Sequence, residues 1–251
     1  MEGMILAAGA GTRLGPLTNR GPKALVRVGD RPLLGWVIDA MVRAGVHRIV
    51  VNTHHHADQI SDYLGEISTP EITFAISPEP DGPYETGGGL LRAASLFRTK
   101  EPFILHNADV LSTLPLGSLV ERHKNAADQF PGSRLISSLA VQQRDSKRAL
   151  LFDGAGLMGW ENRGSDRAAD GRYQVREPEG DVTRWAFTGI HVVDPAVFEL
   201  TDRTGSFSII TLYLELAAAG WVIHPLDVSD EEWFDIGTPE RLVAARTRFG
   251  G

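Results

Sequence analysis

The chemistry-bearing residues of this sequence concentrate near its start, in Leu6-Ala7-Ala8-Gly9-Ala10-Gly11-Thr12-Arg13-Leu14 and then Pro22-Lys23-Ala24-Leu25. Glycines directly after an apolar run let the backbone approach a phosphate chain and turn its N–H groups toward the oxygens. Arg13 adds a planar fork of donors and Lys23 a mobile point charge, so together they can neutralise a triphosphate. Two commoner phosphate loops do not fit. A P-loop carries lysine directly after its last glycine, where this loop has Thr12 and Arg13. The dinucleotide fingerprint needs glycine at position 14, which is Leu14, with Gly15 one residue late. A bare Gly-x-Gly is more often a tight turn, so the informative unit is the whole string with its two cations.

Two acids stand far from this loop in sequence. Asp109 follows the apolar run Phe103–His106, and Asp235 follows Trp233-Phe234 and precedes Gly237. On local sequence Asp109 reads equally as a turn or helix-capping aspartate. Thr238 rivals Asp235 as the cap of the helix that begins at Pro239. His54, His55 and His56 point to different sides of the chain and do not suit one metal ion; a cleft wall or a helix start is expected. Trp160, Trp221 and Trp233 are expected in the core or a pocket wall. No Gly-x-Ser-x-Gly elbow supplies a serine nucleophile. The acidic run Asp227–Glu232 reads as a solvated loop.

The elements that must position these residues alternate through the first half. Strands are expected at Gly3–Ala8, Arg48–Asn52, Ile72–Ile76 and Phe103–His106, and helices at Pro32–Ala44, Ala57–Leu64 and Gly89–Phe97. Such alternation implies an α/β fold, a mostly parallel Rossmann-like sheet flanked by helices, with right-handed crossovers. Ligands on such sheets sit at the carboxyl ends of the strands, where the loops at 9–23 and 107–110 emerge. The second half reads as β-rich, with extended runs at Leu135–Val141, Ala149–Phe152, Leu157–Trp160, Tyr173–Val175 and Ala186–Val193. Helices at Ile209–Ala219 and Pro239–Arg248 flank a strand at Val222–Pro225, and the polar segment 161–182 reads as a hairpin or mobile loop. The 251 residues are read as a single domain, with a nucleotide-facing half over about 1–130 and a substrate-facing half over about 131–251.

Composition narrows the class. Hydrophobic residues make up 42% and charged residues 23%, which suffices for a sizeable core. A net charge of -7 without a basic block argues against a nucleic-acid partner, which needs a concentrated positive footprint. The absence of cysteine rules out disulfides and thiolate zinc sites and fits a reducing cytoplasm, where the chain is expected. The first residues are apolar for too short a run to be a signal peptide, and no stretch approaches the ~20 apolar residues of a membrane span.

The sequence resembles the sugar nucleotidyltransferase family, whose signature reads Leu-Ala-(Ala/Gly)-Gly-x-Gly-Thr-Arg-Leu and then Pro-Lys-x-(Leu/Met). The likeness continues through Glu85-Thr86-Gly87-Gly88-Gly89-Leu90, Asn107-Ala108-Asp109, Phe187-Thr188-Gly189-Ile190 and Asp235-Ile236-Gly237-Thr238-Pro239-Glu240. It is most similar to the short single-domain branch that includes N-acetylmuramate-1-phosphate uridylyltransferase, through its Glu-Thr-Gly-Gly-Gly run and Asn52-Thr53-His54-His55. The resemblance implies transfer of a nucleotidyl group from a nucleoside triphosphate, UTP first, to a sugar 1-phosphate such as N-acetylmuramate 1-phosphate, releasing pyrophosphate. It implies Mg²⁺ held by Asp109 and Asp235, with Arg13, Lys23 and Asp109 as catalytic residues. It places Leu6, Ala7, Ala8, Gly9, Ala10, Gly11, Thr12, Arg13, Lys23, Glu85, Gly87 and Gly88 at the nucleotide, and Asn107, Glu177, Thr188 and Gly189 at the sugar phosphate. A monomer or homodimer is expected. Two departures stand out: Ala108-Asp109 replaces the usual Gly-Asp, and Arg176-Glu177-Pro178 replaces the Glu-Lys-Pro of many relatives. The lysine that would meet the sugar phosphate is therefore missing, with Arg176 or Lys147 as substitutes. The rivals are another acceptor (heptose or mannose phosphate with GTP, phosphocholine with CTP) and a silent nucleotide-sensing subunit on the same fold.

Overall fold

The structure, a computed structural model, describes residues 1–130, 132, 134–164 and 172–250. Its first strand, β1 (Glu2–Leu6), is followed by the glycine-rich loop and by a small hairpin of β2 (Arg27–Val28) and β3 (Arg31–Pro32). Helix α1 (Leu33–Arg43) buries Leu33, Leu34, Val37, Ile38 and Met41, the stripe that 3.6-residue periodicity dictates. It stops where Gly45 adopts a φ of 82°. Then come β4 (Arg48–Thr53), α2 (Ala57–Ile67), β5 (Thr73–Pro78), α3 (Glu85–Arg92) and β6 (Phe103–Asn107).

β5, β4, β1 and β6 lie side by side in that order and are parallel throughout. The chain steps outward from β1 to β4 and β5, then returns to lay β6 on the other side of β1. This reversal opens a crevice at the carboxyl ends of β1 and β6, where Leu6 and Asn107 are register partners. Successive residues of these strands are buried on opposite faces. Ile5, Val51 and Ile104 pack in the cluster with α1 and α2, and Met4, Val50 and Leu105 in the cluster that includes Leu90 of α3.

The second half supplies β7 (Val110–Ser112), α4 (Leu116–Ala127), β8 (Leu135–Gln142), β9 (Arg148–Asp153), β10 (Gly156–Asn162), β11 (Arg172–Gln174) and β12 (Thr183–Val193). After these come α5 (Ile209–Ala218), β13 (Val222–Asp227), β14 (Trp233–Asp235) and α6 (Pro239–Phe249). β12 runs antiparallel to β6 along one edge and to β8 along the other, and its first residues pair with β9. β8 and β13 are parallel, and β9, β10 and β11 form an antiparallel meander. The ten-stranded sheet is thus mixed, its central strands mostly parallel, and β12 knits its halves together.

Three expectations need correction. The helix expected at Gly89–Phe97 begins at Glu85 and ends at Arg92, with a short 3-10 turn at Ala94–Leu96. Gly87 and Gly88 therefore lie inside the helix, where their N–H groups donate to Phe207 O at 2.9 and 3.2 Å. α4 was not expected, although it buries Leu116, Leu119, Val120, His123 and Ala126 at helical spacing; the buried His123 and the polar stretch 121–125 interrupt its apolar pattern. The short β7 and β14 were not expected either, and they form a separate two-stranded sheet. Part of the polar segment 161–182 lies outside the described residues. Among the described residues no helix is long and apolar enough to cross a membrane.

His106, His123 and His191 are buried, and burial pushes their pKa values down to about 4, about 4 and about 3. The folded state therefore holds them neutral while the unfolded chain protonates them near pH 6.5. Stability should be unaffected by these groups above pH 7 and should fall as pH drops from about 6.5 toward 4, by about 1.4 kcal/mol per pH unit for each histidine. Denaturant unfolding at pH 7.5, 6 and 5 checks this; a constant midpoint across that range would show the three imidazoles to be solvated.

Candidate active site

The glycine-rich loop is fixed from behind by a polar relay that spans three strand ends. Ala7 N–H donates to Asn52 Oδ1 at 2.7 Å, Asn52 Nδ2 donates to Glu79 Oε1 at 2.8 Å, and Tyr84 N–H donates to Glu79 Oε2 at 2.8 Å. Asn52 and Glu79 are both buried. A Cβ at Gly89 would lie 2.7 Å from Asn52 Nδ2 and 2.8 Å from Glu79 Oε1, so α3 approaches this relay only because it carries glycine there. In front, Gly11 adopts a φ of 64° and folds the loop onto the stem of Lys23, whose Cβ would be 2.7 Å from a Cβ at Gly11. Lys23 is largely buried and its Nζ donates to Asp109 Oδ2.

Asp109 leaves the carboxyl end of β6 beside that lysine. Asp235 reaches the same place through the β7–β14 ladder, in which Asp235 pairs with Val110. The ladder ends on Ile236 N–H donating to Asp109 O at 2.8 Å. Thr238, not Asp235, caps α6, accepting from Arg241 N at 3.5 Å, which leaves the Asp235 carboxylate for other partners. One of these is Arg241, whose Nη1 donates to Asp235 Oδ2 at 2.5 Å.

Two cavities meet at Asn107, Asp109 and Ser208, which line both. The first, about 440 Å³, is walled by Leu6, Ala7, Ala8, Gly9, Ala10, Lys23, Asn52, Glu85 and Thr86. The second, about 730 Å³, is walled by Arg13, Arg144, Arg148, Trp160, Thr188, Gly189, Trp233, Asp235 and Arg241. Gly189 sits at an irregularity of β12 with a φ of 83°, and a Cβ there would lie 2.5 Å from Asn107 Nδ2. Thr188 lines the cavity, but its hydroxyl donates to Ala140 O at 2.8 Å.

Other expected site residues lie elsewhere. Gly11 and Thr12 line neither cavity. Gly87 and Gly88 are buried against Phe207 and Gly205. Glu177 is exposed and lines neither cavity. Arg176 is bound to Asp153 through both terminal nitrogens, at 2.7 and 2.5 Å, and Lys147 is exposed outside the second cavity. His54 stays behind the loop, its Nδ1 2.7 Å from Glu79 O, and His56 precedes α2. Sequence reasoning assigned no role to Asn52, Glu79, Arg144 or Arg241. A polar residue closing the apolar β4 was the available signal for Asn52; nothing local marked the others.

Among the described residues no cluster of three or more His, Cys, Asp or Glu side chains could hold a metal by itself. Two carboxylates facing a shared, roomy cavity form the donor set of a hard divalent cation that takes its remaining ligands from water and phosphate. Asp109 and Asp235 fit that group.

A crevice at a sheet reversal, lined by glycine-loop backbone and Lys23 and sharing Asp109 with a second cavity that carries Asp235 and four arginines, suits an enzyme that works on phosphate esters. A family model described as nucleotidyl transferase matches residues 2–148. The chain is 43% identical over 254 residues to N-acetylmuramate alpha-1-phosphate uridylyltransferase of Neisseria meningitidis serogroup B, covering 100% of this chain and 99% of that one. It is 30% identical over 249 residues to the Caulobacter vibrioides protein of the same name, covering 98% and 95%. A mannose-1-phosphate guanyltransferase of Saccharomyces cerevisiae is 36% identical over 97% of this chain and 63% of its own length. A solved UDP-glucose pyrophosphorylase from Acinetobacter baumannii superposes with a TM-score of 0.76 at 17% identity, covering 100% and 93%, and shares the fold. The chain belongs to the nucleotidyl transferase family and is a sugar-1-phosphate nucleotidyltransferase. The family generally uses a divalent metal.

Replacing Asn52 by Ala should strand Ala7 N–H and leave the buried Glu79 without its amide partner. A stability loss of about 1–3 kcal/mol is expected, with weaker nucleotide binding. Chemical denaturation and a nucleotide titration read the two effects; unchanged values would mean that the loop is held by other contacts.

Proposed function

We propose that this chain transfers the uridylyl group of UTP to a sugar 1-phosphate, with N-acetylmuramate 1-phosphate as the favoured acceptor and Mg²⁺ as the metal. The observation that carries this reading is that Asp109 lines both cavities at the β1–β6 crevice, with Lys23 bound to it on the side of the first and Asp235 on the wall of the second. The smaller cavity takes the nucleotide, with the backbone of Leu6–Ala10 toward the phosphates and Glu85 and Thr86 toward the nucleoside. The larger takes the sugar, beside Asn107, Gly189 and Trp160. The uridylyl preference follows the relatives at 43% and 30% identity.

In the proposed reaction an oxygen of the sugar phosphate attacks the α-phosphorus. A new P–O bond forms, the bond between the α-phosphorus and its bridging oxygen breaks, and the electron pair leaves on pyrophosphate. A divalent cation held by Asp109 and Asp235 would neutralise phosphate charge as it shifts. Lys23 binds and orients the phosphates, its stem held by Gly11. Arg13, on the wall of the second cavity near Asp235, stabilises charge gathering on the leaving group. No covalent intermediate on the chain is required. Because β12 joins both halves into one sheet, the chain is read as one catalytic domain; a cytoplasmic monomer or homodimer is the expected form.

A guanylyl transfer to mannose 1-phosphate is the second reading, favoured by the yeast relative at 36% identity. Pyrophosphate release from four nucleotides and a panel of sugar phosphates with Mg²⁺ separates the two, and no release from any pair would remove both. Asp109→Asn and Lys23→Ala should each lower kcat by about two orders of magnitude or more while the thermal unfolding profile stays cooperative. A folded variant with near-normal turnover would remove that residue from the chemistry.

A further inference from the structure

The acceptor's phosphate dianion needs a cation of its own, since Lys23 and Arg13 are committed to the triphosphate in the reading above. Where many relatives carry lysine this chain has Glu177, and the neighbouring Arg176 is fully engaged with Asp153, whose side chain is completely buried. Arg144 is different. It lines the second cavity together with Asp109 and Asp235, and its Cζ lies 4.0 Å from the centroid of the Trp233 ring. That ring is itself fixed, because Trp233 Nε1 donates to Thr188 O at 2.8 Å. Arg144 Nη2 donates to Phe187 O at 3.2 Å. Its Nε is buried and without a partner, and it makes no ion pair among the described residues.

The charges facing it are Arg241, which disfavours its cation, and Asp235, which favours it but is already paired with Arg241. Burial is the largest influence and lowers its pKa. A half-desolvated guanidinium without a carboxylate of its own is unfavourable until an anion completes it. Its planar fork matches two phosphate oxygens, and the Trp233 face holds that plane in one orientation.

We propose that Arg144 is the anchor for the 1-phosphate of the acceptor, taking the place of the lysine that this chain lacks. The proposal rests on the transferase reading for the identity of the acceptor, but the anion site itself is a property of the cavity. Arg144 forms no bond with the acceptor beyond hydrogen bonds. It holds the dianion against the sugar side of the cleft and leaves one phosphate oxygen for attack.

The test uses the full chain and its Arg144→Gln, Arg144→Lys and Arg176→Gln variants. Initial rates of pyrophosphate release are read with UTP and Mg²⁺, using N-acetylmuramate 1-phosphate and glucose 1-phosphate in parallel. Binding of both sugar phosphates is read separately by calorimetry. Arg144→Gln is expected to raise KM for each sugar phosphate about 10- to 100-fold with less than about a 3-fold change in KM for UTP. Arg144→Lys, which keeps the charge but not the fork, should raise the same KM about 3- to 10-fold, and it decides the matter if the glutamine variant does not fold. Arg176→Gln should leave it within about 2-fold.

An unchanged sugar-phosphate KM in the folded Arg144 variants overturns the proposal. So does an equal rise in KM for UTP, or transfer of the effect to Arg176→Gln. A loss confined to N-acetylmuramate 1-phosphate also overturns it, because Arg144 would then be reading the carboxylate of that sugar. If the wild-type chain releases no pyrophosphate, the transferase reading fails and calorimetry alone judges Arg144. Tighter sugar-phosphate binding by wild type than by Arg144→Gln then supports the anion site, and equal or absent binding removes it.

Discussion

Asp109 and Asp235 carry like charges and, left to electrostatics, would separate. The backbone keeps them together: β7 and β14 pair directly beyond Asp109, and Ile236 N–H closes the ladder on the carbonyl of Asp109 itself. The cost of the repulsion is offset by one cation at each acid, Lys23 for Asp109 and Arg241 for Asp235. These cations arrive from opposite ends of the chain. The site therefore exists only when the glycine-rich loop, the end of β6 and the start of α6 are all in place. A divalent cation arriving with phosphate would meet two carboxylates whose separation is set by main-chain hydrogen bonds instead of by flexible side chains.

The remainder of the cleft is organised around close approaches of backbone to side chain. Gly89 lets α3 press on the Asn52–Glu79 relay that holds the loop, and Gly189 lets β12 press on Asn107. In both places the absent Cβ brings an amide side chain to the cavity wall. β12 does a second job. Its irregularity at Thr188 and Gly189 turns the chain toward the cavity, and the Thr188 carbonyl fixes Trp233 of β14. The second cavity and the acid pair thus share one hydrogen-bonded frame, and Arg144 lies across it on the Trp233 face.

Much of the parallel half was legible from the chain. Strands β1, β4, β5 and β6 and helices α1 and α2 appear within a few residues of where periodicity and capping place them. The apolar patterns of β1, β4 and β6 are strong because both faces of these strands are buried, and the edge strand β5 is partly covered on each face. The loop that follows β1, and the position of Asp109 at the end of β6, are local consequences of the same pattern. Elements with weak patterns escaped notice. α4 has a histidine, His123, within its buried stripe, and β7 and β14 are too short for alternation to register. The start of α3 was misplaced because glycine argues against helix by propensity, whereas here burial against Phe207 and Gly205 requires it.

By itself, then, the sequence determined the fold class, the glycine-rich loop with its lysine, and the strand end that carries Asp109. These depend on neighbouring residues and on hydrophobic period, which a linear reading captures. Only the tertiary structure decided that Asp235 comes to Asp109, that Asn52 and Glu79 hold the loop, and that Arg176 is tied up while Arg144 faces the cavity. Each of these is a contact between segments far apart in the chain. Such a contact is set by sheet order and by competition for partners: an arginine's role depends on whether a carboxylate has already claimed it, and no local pattern records that.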